Sequence, residues 1–74
     1  MVECKLEKAI AVLSDNNGYA VELNLISFNG NPAKYDLRKW FTATEPPKML
    51  KGVTLTVDEL KVLKDTLNSM EELQ

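Results

Sequence analysis

Apolar and polar positions alternate most clearly between Tyr19 and Phe28. Val21, Leu23 and Leu25 fall on one side, and Glu22, Asn24, Ile26 and Phe28 on the other. That period of two predicts a half-buried β-strand over 19–28. A second alternating stretch, 34–42, sends Lys34, Asp36, Arg38 and Trp40 to one face and Tyr35, Leu37, Lys39 and Phe41 to the opposite face. Asn29-Gly30-Asn31-Pro32 lies between them, and its residue types accept the tight backbone of a turn, so the two strands read as a hairpin. Residues 5–14 are ambiguous. Leu6, Ile10 and Leu13 are spaced like a helical stripe, whereas Leu6, Lys8, Ile10 and Val12 alternate like a strand, and periodicity alone leaves both open. Asp15-Asn16-Asn17-Gly18 then marks a turn.

Beyond the hairpin, Thr44-Glu45-Pro46-Pro47 interrupts regular structure, because each proline fixes φ and removes a backbone donor. The β-branched run after Gly52 predicts a short strand over 52–56. Thr56-Val57-Asp58-Glu59 has the form of a capping box, with acidic residues at the positive end of the helix dipole. Leu60, Leu63, Leu67 and Met70 follow at steps of three and four, so an amphipathic helix is predicted over 57–72 with this stripe in the core.

A chain of 74 residues is a single domain with a marginal core, and self-association is the expected way to bury more surface. One cysteine, Cys4, and no histidine leave no internal disulfide, no zinc site of the usual ligands and no expected cofactor. The charged start, Met1 to Lys8, reads as neither a secretory signal nor a membrane span, so a soluble cytoplasmic protein is expected. No nucleophile with an evident base, phosphate loop or dinucleotide fingerprint is present, and an enzyme is not expected.

The formal charge of −2 hides an asymmetry: residues 34–51 carry five cations against Asp36 and Glu45, while the flanking segments are acidic. A polyanion responds to the local field, and the cations gather where the tryptophan lies. Lysine and arginine at phosphates, with an indole stacked on an unpaired base, is the chemistry of single-strand binding. The alternative for Trp40 is a plug in a core or dimer contact. Asp36, a poor neighbour for phosphate, is expected to pair with a cation and orient it.

Lys34-Tyr35-Asp36-Leu37-Arg38-x-Trp40, followed by Lys51-Gly52-Val53-Thr54-Leu55 and a capped helix, resembles the positive cofactor 4 transcriptional coactivator family, closest to its bacterial YdbC-like branch. The resemblance spans roughly residues 5–70. It implies an α+β fold, a four-stranded curved antiparallel sheet followed by a C-terminal helix, in a homodimer that binds single-stranded DNA with little sequence preference. It also implies a strand for residues 5–14. Carried over residue by residue, it implies phosphate contacts at Lys34, Arg38 and Lys51, and stacking at Trp40 and Phe28. Asn24 would hydrogen-bond a base or sugar, and Lys39 and Lys48 are weaker candidates, Lys48 lying in the proline-bearing loop.

The chain also departs from the family. Ala20, Val21 and Leu25 stand where bacterial relatives tend to place basic residues in the second strand, and the turn before Lys34 carries no cation. Fewer phosphate contacts imply weaker, less salt-sensitive binding. The main expectation is thus a dimeric single-stranded DNA binder, serving transcription regulation or DNA processing, with RNA a lesser option. The alternative is a dimeric protein-interaction module of the same fold with little nucleic-acid affinity.

Overall fold

Two asparagine–glycine turns set the hairpins of this chain. Asn17 and Gly18 take φ of 54° and 81°, and Asn29 and Gly30 take 52° and 76°. Two consecutive residues of positive φ match the right-handed twist of flanking strands, and glycine adopts that region without steric cost. A side chain at Gly18 would also press on Ala43, whose Cβ lies 3.2 Å from where a Cβ would sit. The structure, a computed structural model, describes residues 3–74. The elements are β1 (Cys4–Asn16), β2 (Tyr19–Phe28), β3 (Lys34–Phe41), β4 (Lys48–Leu55) and α1 (Val57–Ser69), followed by one 3₁₀ turn at Glu71–Leu73. The strands form one antiparallel sheet in the order β1-β2-β3-β4. The fold is therefore ββββα, as the sequence pattern and the resemblance implied.

Three boundaries differ from the sequence reading. β4 begins at Lys48, four residues before Gly52, so Lys48 is in a strand and not in the proline-bearing loop. α1 ends at Ser69, and the predicted last turn is replaced by the 3₁₀ turn. β1 is a strand of 13 residues, but its pairing with β2 slips between Leu6 and Lys8, Ala9 and Ala11, and Val12 and Ser14. Each slip inserts a residue that flips the alternation. The apolar residues of β1 consequently do not keep a simple strand period, and Leu6, Ile10 and Leu13 stand at helical spacing.

The helix lies over β3 and β4 on one side of the sheet. Its Leu60, Leu63 and Leu67 line an apolar cleft of about 400 Å³ with Leu13, Leu23, Leu37 and Leu55. That stripe faces the sheet as expected, yet no residue of α1 is fully buried and Leu67 is 42% exposed. The buried residues are few: Ala20 and Ile26 are apolar, and Asn24, Ser27 and Asp36 are polar. Leu6, Val12, Leu13, Val53 and Val62 are all exposed. The molecule is a slab with extents of 39 × 32 × 18 Å that leaves many apolar side chains exposed and is too thin to close a large core by itself.

The helix start is secured locally. The Thr56 hydroxyl accepts from the Glu59 amide at 3.1 Å, and the Glu59 carboxylate accepts from the Thr56 amide at 2.8 Å. Those bonds, backbone first, hold the Glu59 carboxyl below its ordinary pKa. A depressed carboxyl pKa stabilises the fold above the unfolded value and loses that contribution as pH falls through the folded one. Thr56→Ala should cost about 1 kcal/mol in urea unfolding, as for other caps. The difference between the two proteins should shrink as pH drops below the ordinary carboxylate range, where Glu59 is protonated in both.

Candidate nucleic-acid interface

The face of the sheet away from α1 is organised by the β2–β3 register. Ala20 pairs with Trp40, Glu22 with Arg38, Asn24 with Asp36 and Ile26 with Lys34. Paired residues point to the same side, so these eight side chains share one surface. Strand alternation places Lys34, Asp36, Arg38 and Trp40 together, as their spacing predicted.

At the centre of this surface Asp36 is wholly buried and Arg38 encloses it. Arg38 Nε donates to both Asp36 oxygens, at 3.0 and 2.8 Å, and Nη2 donates to Oδ1 at 2.7 Å. Nη1 donates to the Leu50 carbonyl at 2.9 Å, tying the pair to β4. The Asp36 hydrogen bond, opposed by burial, raises the Arg38 pKa above its already high ordinary value. The expectation that Asp36 orients a cation is met, and the cation is Arg38. Its positive charge is balanced at contact distance, with two of its five N–H groups left outside these bonds. Gly52 permits the arrangement. It pairs with Arg38, and a Cβ there would collide with the Arg38 Cβ and stand 2.7 Å from the Leu37 carbonyl oxygen.

An aromatic cleft lies on each side of this ion pair. Phe28, half-buried at the end of β2, lines a cleft of about 570 Å³ with Pro32, Lys34 and Thr54. The Arg38 guanidinium carbon is 5.9 Å from the Phe28 ring centre, within cation–π range. Trp40, also half-buried, lines a cleft of about 560 Å³ with Glu22, Asn24, Pro46, Pro47 and Met49. Among the described residues, Trp40 Nε1 is the one side-chain polar atom buried without a hydrogen-bond partner. A tryptophan serving only as a plug would ordinarily place that N–H on an acceptor.

The other candidates separate by face. Lys34 is exposed beside the Phe28 cleft. Lys51 is exposed in the irregular stretch of β4 between the Arg38–Gly52 and Trp40–Met49 pairs. Lys39 points to the helix side, its Nζ 5.0 Å from the Tyr19 ring centre. Lys48 pairs with Phe41 and so takes that same side, away from the clefts. Asn24 is on the cleft face but only 4% exposed, its Nδ2 donating to Glu22 Oε1 at 3.1 Å. Sequence reasoning missed Glu22 as part of the site; its position on the face of Phe28 was visible, but a carboxylate did not fit the search for cations. It also missed Met49 and the two prolines as a wall for Trp40. Among the described residues no group of three or more His, Cys, Asp or Glu side chains could hold a metal ion.

An open four-stranded sheet, backed by one helix, with one aromatic cleft on its bare face and a second at the edge of that face beside the helix start, defines a small sheet-surface binding domain. Residues 16–66 match the family described as Transcriptional Coactivator p15 (PC4), and the chain belongs to that family. The matched span takes in β2, β3, β4 and most of α1. The chain is also similar to an uncharacterized protein of Treponema pallidum (strain Nichols), 51% identical over 57 residues. That alignment covers 77% of this chain and 65% of the relative, so the chain spans just under two thirds of the relative's length.

Removing one member of the central pair leaves a buried charge uncompensated. Arg38→Ala should therefore lower unfolding free energy by about 3–5 kcal/mol in urea titrations. Arg38→Lys, which keeps the charge but loses the planar fork, should fall between the two.

Proposed function

We propose that this protein is a homodimeric, non-catalytic single-stranded DNA-binding protein of the YdbC-like kind, acting in transcription regulation or DNA processing. The observation that carries this reading is the placement of Trp40 in an open cleft on the face that α1 leaves bare, and of Phe28 in a second cleft at the edge of that face, beside the start of α1. Bases of one strand, several nucleotides apart, stacked in the two clefts would run their backbone past Lys34 at one end and Lys51 near the other. Arg38 acts mainly as a positioning residue, and its remaining N–H groups are the part of it open to a phosphate or base. Lys39 and Lys48, on the helix side, would contribute to the general field only.

Dimerisation is supported by what the monomer leaves uncovered. Val62 and Leu67 on α1 and Val53 on β4 are exposed at 66%, 42% and 49%. Burying such a surface against a second copy would stabilise the chain by roughly 25 cal/mol for each Å² removed from water. Sedimentation should accordingly give a dimer at micromolar concentration. Among the described residues no helix is long and apolar enough to cross a membrane.

The binding experiment is anisotropy of a labelled 20-nucleotide oligo-dT across a salt series. With Lys34 and Lys51 from each of two protomers at phosphates, the slope of log K against log salt should be about −3. Trp40→Ala should weaken binding by about 1–3 kcal/mol, the usual value of one base–aromatic stack. The neutralised Arg38 favours one competing reading, a protein-interaction module. A folded dimer that ignores single-stranded DNA at low salt would establish it.

A further inference from the structure

Glu22 is out of place on a phosphate-binding surface. It sits directly across from Arg38 in the β2–β3 ladder, where a cross-strand ion pair would be natural, yet the guanidinium turns along its own strand to Asp36. Glu22 Oε1 instead accepts from the buried Asn24 amide, which fixes the carboxylate in place. Oε2 has no hydrogen-bond partner among the described residues. The carboxylate lines the Trp40 cleft and lies on the diagonal from Trp40, a spacing of roughly 7–8 Å between side-chain positions. A base stacked on the indole would therefore present its Watson–Crick edge to an oriented, acceptor-only group.

The four bases differ sharply in what they offer such a group. Guanine presents two adjacent donors, N1–H and N2–H, which match both oxygens of a carboxylate. Cytosine and adenine present one amine beside a ring nitrogen that repels it. Thymine presents one N–H flanked by two carbonyls, the least favourable edge of the four. We propose that the Trp40 cleft is a base-discriminating subsite that selects guanine and rejects thymine through Glu22, with Asn24 as the positioning residue behind it. This rests on the single-stranded DNA reading and adds one selective nucleotide position per protomer to otherwise indifferent binding.

The test compares three labelled 20-nucleotide strands on the full chain. One is oligo-dT, one has two well-separated thymines replaced by guanine, and one has hypoxanthine at those positions, which lacks only the N2 amine. Wild-type protein should bind the guanine strand about tenfold more tightly than oligo-dT, the scale of one bidentate base contact, and lose most of that gain with hypoxanthine. Glu22→Gln, which retains an acceptor for Asn24 but turns an amide N–H toward the base, should abolish or reverse the preference. The hypoxanthine arm needs no variant, so it decides the matter even if Glu22→Gln folds poorly. Equal affinity for all three strands, with Glu22→Gln tightening each by the same factor, would overturn the subsite and leave single-strand binding intact. Failure of a folded dimer to bind any strand at low salt would overturn the underlying reading as well.

Discussion

A carboxylate with no exposure to solvent sits at the centre of this sheet, held in a forked ion pair by Arg38. Isolated burial of such a group costs far more than the stability of a chain this size, so Asp36 is tolerable only with a partner of excellent geometry. Arg38 supplies it through the fork of Nε and Nη2, and spends Nη1 on the Leu50 carbonyl. The interaction thereby couples β3 to β4 through a side chain as well as through the ladder. It also demands that β4 come close to Arg38, which only Gly52 allows. The Asp-x-Arg of one strand and the Lys-Gly of the next, separate motifs in the sequence, are two halves of one contact.

That contact also decides how the bare face is charged. Because Arg38 is occupied by Asp36, the surface between the aromatic clefts offers no free cation and keeps the unpaired charge of Glu22, and the lysines stand at its margins. Glu22 and Asn24 gain their orientation from the same row of paired residues. The face is thus built from hydrogen-bonded side chains on strands, with exposed lysines outside them. Such a division suits a surface whose centre handles bases and whose rim handles phosphates.

Much of this was legible in the sequence, for physical reasons that can be named. β2 and β3 are the central strands, paired on both sides, with their leucines turned to the helix side, so their alternation is clean. The capping box and the leucine stripe announce α1 because both act locally. β1 was illegible because three slips in its pairing with β2 scramble the period, leaving Leu6, Ile10 and Leu13 at helical spacing inside a strand. The start of β4 was hidden by Pro46 and Pro47, and by an irregularity opposite Lys39. The charge of Arg38 was readable, but its commitment to Asp36 depends on burial, which the sequence does not display. Glu22 could have been noticed as the one acidic residue alternating with Asn24, Ile26 and Phe28.

The slips in β1 have a further consequence. β1 is an edge strand of 13 residues, entirely exposed and carrying Leu6, Ile10, Val12 and Leu13. A flat edge of that length and composition would be a template for runaway strand addition. An irregularity every three residues or so denies a straight, in-register incoming strand more than a few consecutive backbone partners. The same distortions that obscure β1 in the sequence make this edge a poor template for strand addition along its open side.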